Sequence, residues 1–181
     1  MNKKWQLINS EIVFNHRWYR LRKDTVKLPS GVIIDDYFVS ERSDVVLVFP
    51  LTANKEVIMV EQYKHAANEV LMEFPGGFFD KNKEKPQKAA YRELLEETGF
   101  SAAKLVKLAT VIDNPTKDCN RTYLYVAYNC TKTQEQNLEE TEQISVHFHS
   151  LEKVEKMILS NTIKATLSVA LGLMALKKLS P

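Results

Sequence analysis

Alternation of apolar and polar residues predicts strands over the first part of the chain. Three such segments lie between residues 5 and 40: WQLINSEIVF, WYRLRKDTVKL and VIIDDYFVSE. The residues LPSG, at 28–31, are typical of a turn between two of them. We therefore expect a small antiparallel sheet at the N-terminus, over residues 1–42.

Longer apolar segments follow and predict the main sheet. DVVLVFPL and EVIMVEQY, joined by TANK, are expected to form a hairpin through the core. KLVKLATVI, RTYLYVAYNC and QISVHFH are further predicted strands. Two helical segments end the chain, LEKVEKMIL after Ser150 and TIKATLSVALGLMALKKL. Mixed strands with helices on both sides predict an α/β/α sandwich over residues 43–181.

One further predicted helix carries three glutamates within about one turn. Pro86 suits a first helical turn and Gly99 suits the left-handed residue that closes a helix, so the helix is expected over residues 86–98. The acids lie on one arc: Glu93, Glu96 and Glu97. The other arc, which is expected to be buried, carries Tyr91, Leu94 and Leu95.

This acidic arc points to a bound cation. Like charges at these spacings cost a few tenths of a kcal/mol per pair, which a hard divalent ion relieves. The alternative is a solvated acidic face. Small side chains at Ala89 and Ala90 are expected to leave room for a substrate. The segment Pro75–Gly77 is expected to be a tight turn whose backbone approaches a ligand or metal closely.

The segment resembles the Nudix box: G, five residues, E, seven residues, then R-E-U-x-E-E-x-G-U, where U is bulky and apolar. The matching residues are Glu84, Arg92, Glu93, Leu94, Glu96, Glu97, Gly99 and Phe100. The loop departs from the pattern because six residues, 78–83, separate Gly77 from Glu84. We expect the extra residue to form a bulge in the loop.

The resemblance implies a site for Mg²⁺ or Mn²⁺ in a catalytic domain at 43–181. Glu93 and Glu97 are then metal ligands, Glu96 shares or supports a second ion, and a carbonyl of Gly76 or Gly77 completes the shell. Arg92 is expected to hold Glu84 and Glu96 in place.

Three features resemble the branch of the family that acts on ADP-ribose and nucleoside diphosphate sugars. The first is the N-terminal sheet. The second is Pro115, fifteen residues after Phe100. The third is EVIMVEQYKH, similar to a strand ending in Gln-Tyr-Arg, with Lys64 in place of the arginine.

An acidic segment, LEETEQISVHFH, resembles the loop that supplies a general base and a metal ligand in that branch. By this match Glu140 is the base and Glu142 the additional ligand, the alternative being a solvated acidic loop. Tyr19, within HRWYRLRK, and Arg42 are candidates for stacking a base and meeting phosphate or ribose. An ordinary strand with a basic solvated face is the alternative for Tyr19.

The resemblance thus implies metal-dependent hydrolysis of a nucleotide sugar to a nucleoside monophosphate and a sugar phosphate. Alternatives are hydrolysis of other nucleoside diphosphate derivatives, a diphosphate isomerase, and a non-catalytic sensor of ADP-ribose. A net charge of +2 favours no particular partner, and no nucleic-acid partner is expected; the run Leu167–Leu176 is too short to span a membrane. Two cysteines without CxxC spacing and no visible signal peptide suggest the cytoplasm. A homodimer through the N-terminal sheet is expected from the family branch.

Overall fold

Residues 3–43 and the segment Ile112–Arg121 form one unit of the computed structural model, which describes residues 3–180. Asp44–Val111 and residues 122–180 form a second, larger unit. The second unit contains the whole of the Nudix-box resemblance.

Three antiparallel strands build the first unit, in the order β1-β2-β3. Their bounds are β1 Gln6–His16, β2 Tyr19–Lys27 and β3 Ile33–Glu41. Gly31, in the turn before β3, has φ of 90°, which glycine adopts without the steric penalty of a side chain. Ser40 of β3 bridges to Asp118, which ties the segment Ile112–Arg121 to this sheet. The small antiparallel N-terminal sheet is confirmed.

Eight strands form the sheet of the second unit. They are β4 Asp44–Thr52, β5 Glu56–Lys64, β6 Glu69–Glu73, β7 Gly76–Phe79, β8 Phe100–Ser101, β9 Lys104–Val111, β10 Thr122–Lys132 and β11 Ile144–Ser150. The main order is β11-β5-β4-β10-β8, with β6 on β5, β7 on β4 and β9 on β10. The β4–β10 pair is parallel and the other pairs are antiparallel, so the sheet is mixed as predicted.

Helices cover both faces of this sheet: α1 Pro86–Thr98, α2 Leu151–Leu159 and α3 Thr166–Leu179. Side chains alternate along β5, so Met59 lies in one core cluster with Val154 of α2 and Leu171 of α3. Ile58 lies in the other cluster, with Leu94 of α1. These two cores confirm the α/β/α sandwich. Within residues 3–180, none of the helices is long and apolar enough to cross a bilayer.

The ends of the last helices show how caps act. Ser150 accepts a hydrogen bond from the Lys153 backbone N–H at 3.2 Å and caps α2 at the predicted residue. The final helix begins at Thr166, four residues later than its sequence pattern suggested. The backbone N–H groups of Thr162 and Ile163 instead donate to the Met157 carbonyl, which turns this segment back toward α2.

The predicted β4–β5 hairpin is only partly correct. Its turn forms, with the Lys55 backbone N–H bonded to the Thr52 carbonyl at 3.0 Å. The two strands then pair only through Leu51 and Val57. Residues 44–47 of β4 pair with β7, and residues 60–64 of β5 pair with β6. Over these residues β4 and β5 therefore pair with β7 and β6, which the sequence did not predict, instead of with each other.

Candidate active site

The acidic helix α1 begins at Pro86 and ends at Thr98, as its sequence predicts. Gly99 follows in the left-handed conformation, with φ of 77°, and its N–H bonds to the Leu95 carbonyl. A Cβ at Gly99 would lie 2.3 Å from the Gln134 carbonyl oxygen. Glycine is therefore needed here for both its conformation and its close contact.

The burial of α1 differs from the prediction. Glu93 and Glu97 are only 9% and 7% exposed, and they share the covered side of the helix with Leu94. The expectation that all the acids occupy an open arc is wrong for these two. Ala89 and Ala90 are fully buried in the core, so they pack against the sheet instead of making room for a substrate.

Two glycines of β7 lie against these buried carboxylates. The Gly76 backbone N–H donates to Glu97 Oε2 at 2.9 Å. A Cβ at Gly77 would lie 2.7 Å from the Glu93 carboxylate, and one at Gly76 would lie 2.1 Å from the Val46 carbonyl oxygen. Both residues belong to a strand, so the predicted tight turn at Pro75–Gly77 is wrong. Their backbone lies close to the two carboxylates, whereas the predicted approach to a ligand or metal stays a prediction.

The extra loop residue lies beyond this contact. Gly77 pairs with Val46 and the strand continues to Phe79, so the turn starts only at Asp80. The Asp80 carboxylate accepts the Asn82 backbone N–H at 2.9 Å, and its carbonyl accepts those of Lys83 and Glu84, each at 2.9 Å. The added residue is therefore absorbed in a closed turn and leaves the glycine strand undisturbed.

Arg92 connects the glutamates of the box. Its Nη1 lies 2.8 Å from both Glu93 Oε1 and Glu96 Oε2, and its Nη2 lies 3.1 Å from Glu84 Oε2. Burial lowers the pKa of Arg92, but its carboxylate partners raise it more, so it remains a cation. Arg92 thus contacts both residues that it was expected to hold, Glu84 and Glu96, and Glu93 in addition, while its role stays a prediction.

Burial raises the pKa values of the two covered acids. Burial is the main cause for Glu93, whose pKa is raised to about 7, with Arg92 opposing the shift and Glu96 and Glu142 adding to it. The pKa of Glu97 is raised to about 8, again mainly by burial. Nearby negative charge contributes in both cases. The site therefore favours additional positive charge.

Two other predicted site residues, Lys64 and Glu142, influence the buried acids through their charges. The N–H of Gly76 and the ammonium of Lys64 lower the pKa of Glu97, whereas Glu93 and Glu142 raise it. Lys64 Nζ also lies 2.6 Å from Gln62 Oε1 and 3.2 Å from Glu73 Oε2. Glu73, on β6, is a charged neighbour that the sequence did not single out, since its strand was not predicted.

Glu142 lies in the acidic loop, residues 133–143, between β10 and β11. Its Oε2 accepts the Glu139 backbone N–H at 2.9 Å, and its own N–H donates to the Glu139 carbonyl at 2.9 Å. Glu142 is half-buried, and Glu140 is exposed on the turn between them. The loop thus presents one carboxylate coupled to the box and one open to solvent.

Three substrate candidates belong to the first unit, whereas the carboxylates belong to the second. Tyr19 is exposed, with its ring centroid 6.2 Å from that of Phe14. Arg42 Nη1 lies 3.2 Å from Asp118 Oδ2, and Pro115 is exposed on a turn. Their roles stay predictions.

The donor set suits a hard divalent cation, because carboxylate and carbonyl oxygens are its usual ligands. Two buried acids with raised pKa values lie beside the half-buried glycine backbone of β7. Within residues 3–180, no three His, Cys, Asp or Glu side chains are gathered into a finished coordination site. Glu96 is turned to Arg92, and Glu97 accepts the Gly76 N–H.

Solved structures and characterised sequences resemble this chain. A crystal structure of an ADP compounds hydrolase has a TM-score of 0.86 and 20% identity, over 97% of this chain and 94% of that one, which confirms the fold. A methanol dehydrogenase activator of Bacillus methanolicus is 32% identical over 70% of this chain and 68% of its own length. An ADP-ribose pyrophosphatase of Bacillus subtilis is 29% identical over 86% and 84%, respectively. One from Mycobacterium tuberculosis is 27% identical over 92% and 80%.

Family models match both parts of the chain. Residues 5–40 match a nucleoside diphosphate sugar hydrolase N-terminal domain. Residues 41–167 match a NUDIX domain, which is more than half of the chain and includes every glutamate of the box. The chain therefore belongs to the Nudix family.

Proposed function

We propose that this protein hydrolyses the pyrophosphate bond of ADP-ribose or another nucleoside diphosphate sugar, giving a nucleoside monophosphate and a sugar phosphate. The observation that carries the proposal is the pair of buried carboxylates, Glu93 and Glu97, set against the glycine backbone of β7. Two buried carboxylates side by side are suited to binding divalent cations, which neutralise the charge of a phosphate substrate.

The substrate class is supported by the first unit and by the relatives. Residues 5–40 match the N-terminal domain of nucleoside diphosphate sugar hydrolases. Two relatives that align over more than four fifths of this chain are ADP-ribose pyrophosphatases. All the box glutamates are present, which disfavours a sensor that binds without cleaving.

We propose Glu93, Glu97 and Glu142 as the carboxylates that hold Mg²⁺ or Mn²⁺, with the Gly76 carbonyl as a further ligand. Such a cation, when bound, neutralises phosphate charge and lowers the pKa of a water. Glu96 supports this set from the same helix. Its present partner is Arg92, which also grips Glu84 and so fixes the acidic face.

Glu140 is proposed as the general base. Its exposure allows proton exchange with solvent, and it lies two residues from Glu142, which is coupled to the buried acids. Lys64 is proposed to meet a substrate phosphate as a single ammonium, without the bidentate geometry of arginine. Tyr19, Arg42 and Pro115 are proposed to contact the rest of the nucleotide sugar.

A substrate panel tests the proposal. The protein is incubated with Mg²⁺ or Mn²⁺ and with ADP-ribose, ADP-glucose, GDP-mannose or nucleoside triphosphates, and products are separated chromatographically. We expect cleavage of at least one diphosphate sugar to a nucleoside monophosphate. Binding of ADP-ribose without cleavage would support the sensor instead, and cleavage of triphosphates alone would assign another Nudix activity.

We further propose that the first unit pairs two copies into a homodimer. Its strands expose large apolar side chains that a monomer would leave in water. On and around β1 these are Trp5, Leu7, Ile8, Ile12, Val13, Phe14 and Trp18. Leu7, Ile8, Ile12, Val13 and Phe14 lie on β1 itself, an edge strand of the three-stranded sheet whose register shifts at Ile8 and Val13.

The dimer is tested by replacing Leu7 and Phe14 with aspartate together. Sedimentation is expected to show a dimer for the unmodified protein and a monomer for the double variant. Leu159→Asp, at an exposed apolar residue on α2, is the control and is expected to remain dimeric. A monomeric unmodified protein at micromolar concentration would refute the proposal.

A cytoplasmic location is also proposed. Cys119 and Cys130 are both free thiols, as is usual in a reducing compartment. Burial raises the pKa of Cys130 to about 12, which keeps this thiol unreactive. Cell fractionation checks the location.

A further inference from the structure

The acidic loop is attached to the rest of the second unit mainly by hydrogen bonds. Residues 133–143 contain no helix or strand, and most of them are exposed. The backbone N–H groups of Thr133 and Gln134 donate to the Gly99 carbonyl, and that of Asn137 donates to the Glu96 carbonyl at 2.9 Å. Leu138, which is half-buried, is the one aliphatic side chain among residues 133–143, so the position of the loop depends largely on these hydrogen bonds.

The side chain of Gln136 adds to this backbone attachment at the end of α1 and the start of β11. Gln136 Nε2 donates to the Glu97 carbonyl at 2.6 Å and to the Ile144 carbonyl at 3.2 Å. Glu97 belongs to the last turn of α1, where carbonyls have no intrahelical partner, and Ile144 is the first residue of β11. The amide therefore uses both of its hydrogens to join the loop to a helix end and a strand start.

The bond to Ile144 closes the loop on itself. Residues 137–143 lie between Gln136 and Ile144. The side-chain amide of Gln136 bonds to the Ile144 carbonyl and so joins the two ends of this segment. Within residues 137–143, the backbone N–H of Glu139 donates a hydrogen bond to the Glu142 carboxylate at 2.9 Å. Gln136 thus fixes the base of the turn that carries Glu140 and Glu142.

We propose that Gln136 is a positioning residue, whose side-chain amide holds the excursion 137–143 in place so that its glutamates stay in reach of Glu93 and Glu97. This inference rests on the proposed function for its effect on turnover. Its effect on the loop itself does not depend on that function.

The experiment compares Gln136→Met with Gln134→Met in the full-length protein. Methionine keeps the length of glutamine but removes both donors. Gln134 is the matched control, since its side chain is exposed and its own contact to Gly99 is made by its backbone. Gln136→Asn, which is too short to reach both carbonyls, is a milder second variant in case the methionine variant folds poorly.

Three measurements are made on each variant: amide hydrogen exchange, Mn²⁺ affinity, and turnover of the substrate cleaved best in the panel. For Gln136→Met we expect exchange in residues 137–143 to become about tenfold faster. We expect weaker Mn²⁺ binding and a kcat about tenfold lower with little change in KM. Gln134→Met is expected to resemble the unmodified protein in all three.

Unchanged exchange in residues 137–143 would overturn the proposal. Faster exchange with unchanged kcat and Mn²⁺ affinity would also overturn it, because the amide would then have only a structural role. If the unmodified protein cleaves no substrate, the proposed function fails, while exchange and Mn²⁺ affinity still decide the role of Gln136.

Discussion

The helix α1 and the acidic loop bring glutamates to one region by opposite means. Glu93 and Glu97 are held by packing, since they lie on the covered side of a helix against the glycines of β7. Glu142 is held by a few hydrogen bonds in an exposed loop. Rigid burial suits groups that must keep a fixed geometry, whereas a loop suits groups that adjust to a substrate. Under the proposed function, α1 would set the geometry of the metal ligands and the loop would carry the proton transfer.

The largest expected effect comes from the helix side. Glu97→Gln is expected to lower kcat about 1,000-fold, since it removes a proposed metal ligand, and to weaken Mn²⁺ binding. Above pH 8, where Glu97 is ionised in the folded protein, the melting temperature is not expected to fall, because a neutral amide is easier to bury than a carboxylate. Steady-state kinetics and thermal unfolding check this, with Glu135→Gln, on the exposed part of the loop, as the control. Near-normal turnover would remove Glu97 from the proposed site.

A smaller effect is expected on the loop side. Glu140→Gln should lower kcat about 100-fold, the usual scale for a general base, with little change in KM and in Mn²⁺ affinity. The pH dependence of kcat should also lose its acidic limb. The variant Glu139→Gln, one residue away, is the comparison. A rise in KM or loss of Mn²⁺ binding would instead indicate that Glu140 binds metal or substrate.

The glycines of β7 test whether packing sets the geometry of the buried acids. The three atoms nearest to a Cβ at Gly77 all belong to the Glu93 carboxylate, which can shift, so Gly77→Ala is expected to fold and to lose about tenfold in kcat. A Cβ at Gly76 meets backbone at Val46, which cannot shift. Gly76→Ala should therefore lower the melting temperature strongly. Equal stability of the two variants in thermal unfolding would contradict this distinction.

The smallest expected effect is on stability and concerns only the buried acids. The folded-state pKa values of Glu93 and Glu97 are raised to about 7 and about 8 from an ordinary value of 4.5. The folded protein thus retains protons that the unfolded chain releases. The corresponding stability is present below pH 4.5 and is lost as the pH rises through 7 to 8.

In the presence of EDTA, this change is expected to shift the melting temperature by a few degrees. It is measured as the difference between the unmodified protein and Glu97→Gln from pH 4.5 to above pH 8, which isolates the titration of the Glu93–Glu97 pair from that of distant groups. Addition of Mg²⁺ should reduce the difference, since a cation favours the ionised carboxylates. A difference that does not vary with pH would contradict the raised pKa values.

Local chemistry explains what the sequence could predict. The ends of α1 follow from Pro86 and Gly99, whose conformational preferences act within one turn, and the cap of α2 follows from Ser150. The Nudix family and its fold followed from fixed spacings along α1, and both are confirmed. Interactions of this kind depend on near neighbours in the chain.

Contacts between distant residues explain what it could not. The strands β6 and β7 are short, and they pair with residues of β5 and β4, respectively, that a regular hairpin would pair with each other. The burial of Glu93 and Glu97 depends on the position of β7, so a helical pattern alone placed them in solvent. Gln136 has no motif, and its partners lie 39 and 8 residues away.

The closed turn after β7 bears on how chains of this type are recognised. Its two ends are fixed independently, at Phe79 by pairing with β4 and at Pro86 by the start of α1. The number of residues between them can therefore vary without altering either partner. A search pattern that requires five residues between the glycine and the first glutamate would reject this chain. The extra residue lies in the turn after β7, whereas the contact of β7 with Glu93 and Glu97 precedes that turn. A pattern of variable length in that interval and fixed length along the helix reflects the physical constraint.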